Sequence, residues 1–207
     1  QYTPRIVAIP VGNLEKLRLP VKTRKQHALI TASRLADEKH VDWLVSAVIK
    51  AKKIIPDITF DIYGRGGDEQ KIRKIINDNG AQNDIKLMGH MDLTQVYQEY
   101  DAYISASTSE GFGLTLMEAV GSGLTIMGFD VSYGNQTFIQ NEQNGYLIAY
   151  DKSDDVTSKI NKLADHIVKL FKKHELSDFQ QQSYQIAQDY VVGDLSLIHI
   201  SEPTRRS

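Results

Sequence analysis

The chain has 207 residues, enough to bury one sizeable core, with the 41% hydrophobic and 24% charged content of an ordinary globular protein. Its formal net charge of −2 argues against a general polyanion-binding surface, so any recognition of phosphate has to be local. The lack of cysteine removes disulfides and thiolate metal sites, and no apolar run reaches the ~18–20 residues of a membrane span.

Residues 1–26 read as a linker or hinge. A strand-like run at 5–10 and the turn Pro10-Val11-Gly12-Asn13 are followed by a basic stretch at 16–25, although an edge strand with a surface loop fits equally. From residue 27 strands and helices alternate. Strands are expected at 27–33, 58–63, 85–88, 102–106, 124–129 and 146–148; the first is a short apolar run ending in small residues, and the second halts at the glycines from Gly64. Helices are expected at 41–55, 69–79, 93–100 and 114–120, and two amphipathic ones at 155–173 and 177–190. Pro56 and Gly80 supply two of the stop signals. This alternation predicts an α/β fold, a Rossmann-like parallel sheet with helices on both faces, spanning residues 27–194. Residues 195–207 change character abruptly. They resemble the translated read-through of a sequencing adapter and are read as a non-native scar, with a genuine polar extension as the alternative.

In open parallel sheets ligands sit beyond the carboxyl ends of the strands, which directs attention to five loops. Arg34 and Lys39 lie five apart in Ser33-Arg34-Leu35-Ala36-Asp37-Glu38-Lys39, after the first strand. A guanidinium fork and a compact ammonium suit a pyrophosphate; the alternative is a pair of surface cations matched with Asp37 and Glu38. Gly64-Arg65-Gly66-Gly67 ends the second strand, and its glycines permit tight turns and close approach to a ligand, though a plain connector fits nearly as well. Met88-Gly89-His90-Met91 ends the third strand, where backbone groups can meet a nucleobase edge. A lone His90 without a second ligand at metal spacing is not read as a metal site.

Glu110 and Glu118 bracket the turn Gly111-Phe112-Gly113 that opens an apolar helix. Free amides at a helix start receive anions, and carboxylates receive hydroxyls. Eight helical residues rise ~12 Å, against ~5–5.5 Å or ~6.5–9.5 Å between the carboxyls of glycoside hydrolases. Glu110 precedes the helix and can fold back, so separation alone leaves hydrolysis open. A simpler division gives Glu110 to hydroxyls of a transferred sugar, Glu118 to a ribose diol, and the amides of residues 111–114 to the diphosphate or sugar oxygens; a capping acid on a surface helix is the bland alternative.

These residues resemble family 4 of the retaining glycosyltransferases, built from two facing Rossmann-like domains in the GT-B fold. The E-x7-E signature stands at Glu110 and Glu118, the Ser-Arg-Leu…Lys loop at Ser33 to Lys39, the glycine turn at 64–67, and Asn-Gly-Tyr-Leu-Ile at Asn144 to Ile148. Residues 27–190 are similar to that family's C-terminal, donor-binding half. Residues 86–90, 110–123 and 129–139 look like its A-subunit branch in the accessory Sec system of Gram-positive bacteria. That resemblance implies transfer of N-acetylglucosamine from UDP-GlcNAc to Ser/Thr hydroxyls of a serine-rich-repeat adhesin, alongside a homologous B subunit. Wall teichoic acid glycosyltransferases are the nearest rivals, and a non-catalytic partner subunit of the same fold is a further one.

By motif, the resemblance puts Arg34, Lys39 and Glu110 in catalysis and Glu110, Gly111, Phe112 and Gly113 on the donor sugar. Arg34, Lys39, Gly64, Met88, Gly89, His90, Met91, Leu114 and Glu118 fall on the nucleotide. It implies no metal and no cofactor apart from the UDP-sugar substrate, no nucleic acid partner, and a cytoplasmic location, with or without peripheral contact at the inner membrane face. Since the facing acceptor domain is not in these residues, the 207-residue chain is expected to bind UDP weakly and to turn nothing over.

Overall fold

The computed structural model describes residues 26–108, 113–132, 134–173 and 176–192, with backbone only over 188–192. The strand expected at 5–10, nearly all of the 1–26 linker, the 195–207 tail, and the site candidates Glu110, Gly111 and Phe112 lie outside the described residues.

Six strands form one sheet: β1 (Ala28–Ala32), β2 (Thr59–Tyr63), β3 (Ile85–Gly89), β4 (Ala102–Ile104), β5 (Thr125–Phe129) and β6 (Gly145–Ile148). Their spatial order is β3-β2-β1-β4-β5-β6 and every pairing is parallel. β1 and β5 are buried along their whole length, which is why they read as mostly apolar runs rather than alternating ones. Leu29, Phe60 and Ile62 face one core with α1 (Val41–Lys52), α2 (Glu69–Asp78) and α5 (Val156–Lys172). Ala28, Ile30 and Ile126 face the other, against α3 (Leu114–Gly121) and Ile186 of α6 (Leu176–Val192). Cβ atoms alternate across a strand, so one short run serves both layers.

Two elements depart from expectation. The helix expected over 93–100 is a loop that closes in a 3-10 turn, Tyr97–Glu99. Asp92 takes the amide and hydroxyl of Thr94 on one carboxylate oxygen, at 2.9 and 2.6 Å, and so competes with helical bonding at its start. A five-residue helix, α4 (Gly134–Phe138), lies between β5 and β6, where no helix was expected. It has no apolar stripe to announce it, and the buried Asn135 amide ties it back to the Phe129 carbonyl at 2.8 Å.

The chain winds outward from β1 through β2 to β3 and from β4 through β5 to β6, so the order reverses between β1 and β4. Loops leaving the two strands diverge there and open a crevice at their carboxyl ends. The glycine turn after β2 braces one side of it. Gly64 has φ +133° and donates its N–H to Gly89 at 2.8 Å, and an added Cβ would stand 1.8 Å from the Ser33 carbonyl oxygen. A Cβ on Gly66 would stand 2.1 Å from the Leu35 oxygen. Leu35 donates to Arg65 at 2.9 Å and Asp68 to Leu35 at 3.1 Å, so the close partner of these glycines is the backbone of the β1 loop.

Candidate functional site

The crevice contains a cavity of about 890 Å³ whose lining includes Arg34, Gly64, His90, Met91, Leu114 and Glu118. A smaller one of about 320 Å³ shares Arg34 and Leu114 with it and adds Lys39, Ser107 and Gly113. Of the described candidates, only Met88 and Gly89 stand outside this lining: Met88 is exposed at the end of β3, and the Gly89 carbonyl is taken by Gly64.

The cations differ in their surroundings. Arg34 is largely exposed and pairs with Glu38 at 2.5 Å, the surface pairing that its spacing allowed. Backbone hydrogen bonding first, and then the Arg34 guanidinium, hold the Glu38 carboxyl below its usual range. Exposed i,i+4 pairs are worth little, so the guanidinium is available to a better anion. Lys39 is half-buried and donates to the Ser107 hydroxyl at 3.3 Å. Ser107 in turn donates to the Glu38 carbonyl at 3.4 Å, and the Thr108 amide donates to the same oxygen at 3.1 Å. The loop after β4 is thereby joined to the one after β1.

Gly113 opens α3 in the left-handed conformation, φ +76°, and no side chain caps the helix among the described residues. The amides of the first turn have no acceptor within the helix and carry its positive dipole end into the crevice. Two tyrosines anchor that turn. Tyr103 donates to the Ala32 carbonyl at 2.8 Å, which leaves the Thr115 hydroxyl to donate to Tyr103 at 3.0 Å. Tyr97, fully buried, donates to Glu118 Oε2 at 3.0 Å. Burial raises the Glu118 carboxyl above its usual value, and the bond from Tyr97 opposes that rise. Burial also keeps the Tyr97 phenol protonated, so it remains the donor and fixes the carboxylate's orientation.

Tyr63, also on the lining, donates to Tyr100 at 2.9 Å, and Tyr100 donates to Asp61 at 2.7 Å. Arg65 and Asp92 complete the charged lining. The crevice therefore presents cations, the start of α3 and carboxylate acceptors on two adjoining linings. Such an arrangement suits a ligand with a doubly anionic centre and hydroxyls to either side. No three His, Asp or Glu side chains among the described residues gather at metal-binding distance.

Sequence reasoning missed Tyr97, Tyr103 and Thr115, which lay inside runs read only as helix or strand. A polar-tipped aromatic in an apolar run is a weak signal that its hydroxyl has a partner. Arg65 was hidden by the glycines around it, which were read for conformation alone.

A family model described as Glycosyl transferases group 1 matches residues 26–166. The UDP-N-acetylglucosamine–peptide N-acetylglucosaminyltransferase GtfA subunit of Limosilactobacillus reuteri subsp. suis is 53% identical over 193 residues, covering 93% of this chain and 38% of the relative. The pneumococcal O-GlcNAc transferase GtfA, solved in complex with UDP and GlcNAc, superimposes with a TM-score of 0.79 at 53% identity. That match covers 81% of this chain and 33% of the solved one. A chain of the GtfA/B complex gives the same TM-score at 51% identity, covering 83% of this chain and 34% of that one. The chain thus spans well under half the length of these relatives.

Proposed function

Because the chain belongs to the group 1 glycosyl transferases, we propose that its crevice binds the nucleotide-sugar donor UDP-GlcNAc and forms the donor-binding half of a GT-B enzyme. In this reading the full-length enzyme transfers N-acetylglucosamine to serine and threonine hydroxyls of a serine-rich-repeat protein. The observation that carries the proposal is the convergence of Arg34, Lys39 and the start of α3 on one crevice, with Glu118 on the adjoining lining. The likeness to a GtfA solved with UDP and GlcNAc supports the choice of donor. The likeness to a chain of the GtfA/B complex supports a homologous B subunit as partner.

Each residue then has a physical task. Arg34, Lys39 and the α3 amides offset the charge that grows on the diphosphate as it leaves. Glu118, held by Tyr97, accepts from the ribose diol. Backbone at His90 and Met91, on the cavity lining, meets the uracil, and Glu110 to Gly113 hold the sugar. Departing UDP oxygen takes the acceptor's proton from the same face that the new bond forms on, so the anomeric configuration is retained without a protein nucleophile. The charge at the leaving group is assigned to cations and amides of the protein, with the UDP-sugar as the sole small-molecule substrate. The reaction is placed in the cytoplasm.

The test is product analysis on the full-length protein, assembled with its B subunit and offered UDP-GlcNAc and UDP-glucose with a serine-rich peptide or a polyol-phosphate polymer. N-acetylglucosamine on serine and threonine is the expected product. Transfer of hexose to the polymer alone would replace this reading with that of a teichoic acid enzyme.

A further inference from the structure

His40 closes the 3-10 turn Asp37–Lys39 and caps α1 with φ 45° and ψ 43°, in the left-handed region. Side chains other than glycine rarely hold that conformation, and where they do the surroundings over-determine it. Here the ring provides the constraint. It stacks on Trp43 with centroids 3.6 Å apart and planes 7° apart, and its Nε2 meets the Thr108 hydroxyl at 3.1 Å. Trp43 is itself buried, with the Lys159 ammonium 5.9 Å from its ring centre. The imidazole therefore links the loop that carries Arg34 and Lys39 to the loop after β4. That second loop contains Ser107, the acceptor of the Lys39 ammonium, and leads on towards the start of α3.

Burial pushes the His40 imidazole below its ordinary pKa, with Lys71 and Lys159 adding to the effect and Asp42 and Asp37 opposing it. The ring is neutral at pH 7 and adds no charge of its own beside Lys39.

We infer that His40 is a positioning residue of the donor site, holding the loops after β1 and β4 in one register so that Lys39 and the first turn of α3 meet the same diphosphate. The inference rests on the donor-site reading above. A purely structural histidine would be replaceable by any residue that tolerates the backbone; a positioning one would not.

The test is an NMR titration of the 207-residue chain with UDP, with Lys39→Ala as the control for the site. His40→Asn keeps the left-handed backbone, since asparagine tolerates it, but lacks the ring that stacks and reaches Thr108. Thr108→Val keeps the shape of its side chain and loses the hydroxyl. Each is expected to weaken UDP about five- to tenfold, and the double variant to be no weaker than the worse single, because both cut one link. The urea midpoint of Thr108→Val should match the parent, so that variant decides if His40→Asn fails to fold. Wild-type affinity in both variants, or losses that multiply in the double, overturns the inference while the Lys39→Ala loss keeps the site. A Lys39→Ala chain that binds UDP like the parent overturns the donor-site reading, and this inference with it.

Discussion

Gly64→Ala is expected to cost the chain more than about 3 kcal/mol of stability, enough to leave it largely unfolded or aggregated at 37 °C. The new Cβ would lie 1.8 Å from the Ser33 carbonyl oxygen, and that oxygen belongs to backbone with no rotamer to yield. The φ of +133° adds a conformational penalty to the overlap. Relief would need the loops after β1 and β2 to separate, which breaks the Leu35–Arg65 and Asp68–Leu35 hydrogen bonds that hold the crevice wall. Gly67 provides the internal control: a Cβ there meets nothing within 4 Å, so Gly67→Ala should stay within about 0.5 kcal/mol of the parent. Urea unfolding of the three proteins checks this, and equal midpoints for Gly64→Ala and the parent would contradict the packing account.

Lys39→Ala should weaken UDP about 10- to 100-fold. The ammonium is the compact charge nearest the small cavity, and charge-assisted hydrogen bonds to phosphate are worth ~1.5–3 kcal/mol. Lys39 is half-buried on that lining, and its hydrogen bond to the Ser107 hydroxyl is long, at 3.3 Å. Lys74, exposed on α2, paired with Asp78 and outside both cavity linings, carries the same charge and should give no change as Lys74→Ala. Equal losses from both lysines would show that net charge rather than the site governs binding. The loss at Lys39 should shrink as salt is raised, since screening weakens the contribution of a half-exposed cation.

Much of the fold was legible because parallel strands covered on both faces have no choice but to be apolar throughout. β1 and β5, expected at 27–33 and 124–129, run from Ala28 to Ala32 and from Thr125 to Phe129, no bound off by more than one residue. The loops of the site were legible for a related reason. Alternating strands and helices bring strand ends to one side of the sheet, so charged and glycine-rich loops were expected to converge, and Arg34, Lys39, His90 and Glu118 do line one crevice. What stayed hidden depends on distant partners. Tyr97 looked like one more apolar position in a helix, whereas it sits on a 3-10 turn with its hydroxyl on a carboxylate 21 residues away. His40 followed the basic loop without any pattern of its own, and only its left-handed backbone and stacked ring mark it. α4 was too short for a helical period to register. The glycine turn was read as an approach to ligand, but at Gly64 and Gly66 the nearest atoms belong to the neighbouring loop.

The central claim is that the start of α3 and the two cations of the β1 loop form a cradle for a diphosphate. A crystal structure of the chain grown with saturating UDP tests it most directly. The account predicts phosphate oxygens within hydrogen-bond distance of the Lys39 ammonium, the Arg34 guanidinium and the first amides of α3, with the ribose on Glu118. Nucleotide bound outside the crevice, or inside it with the phosphates turned away from Lys39, would contradict it.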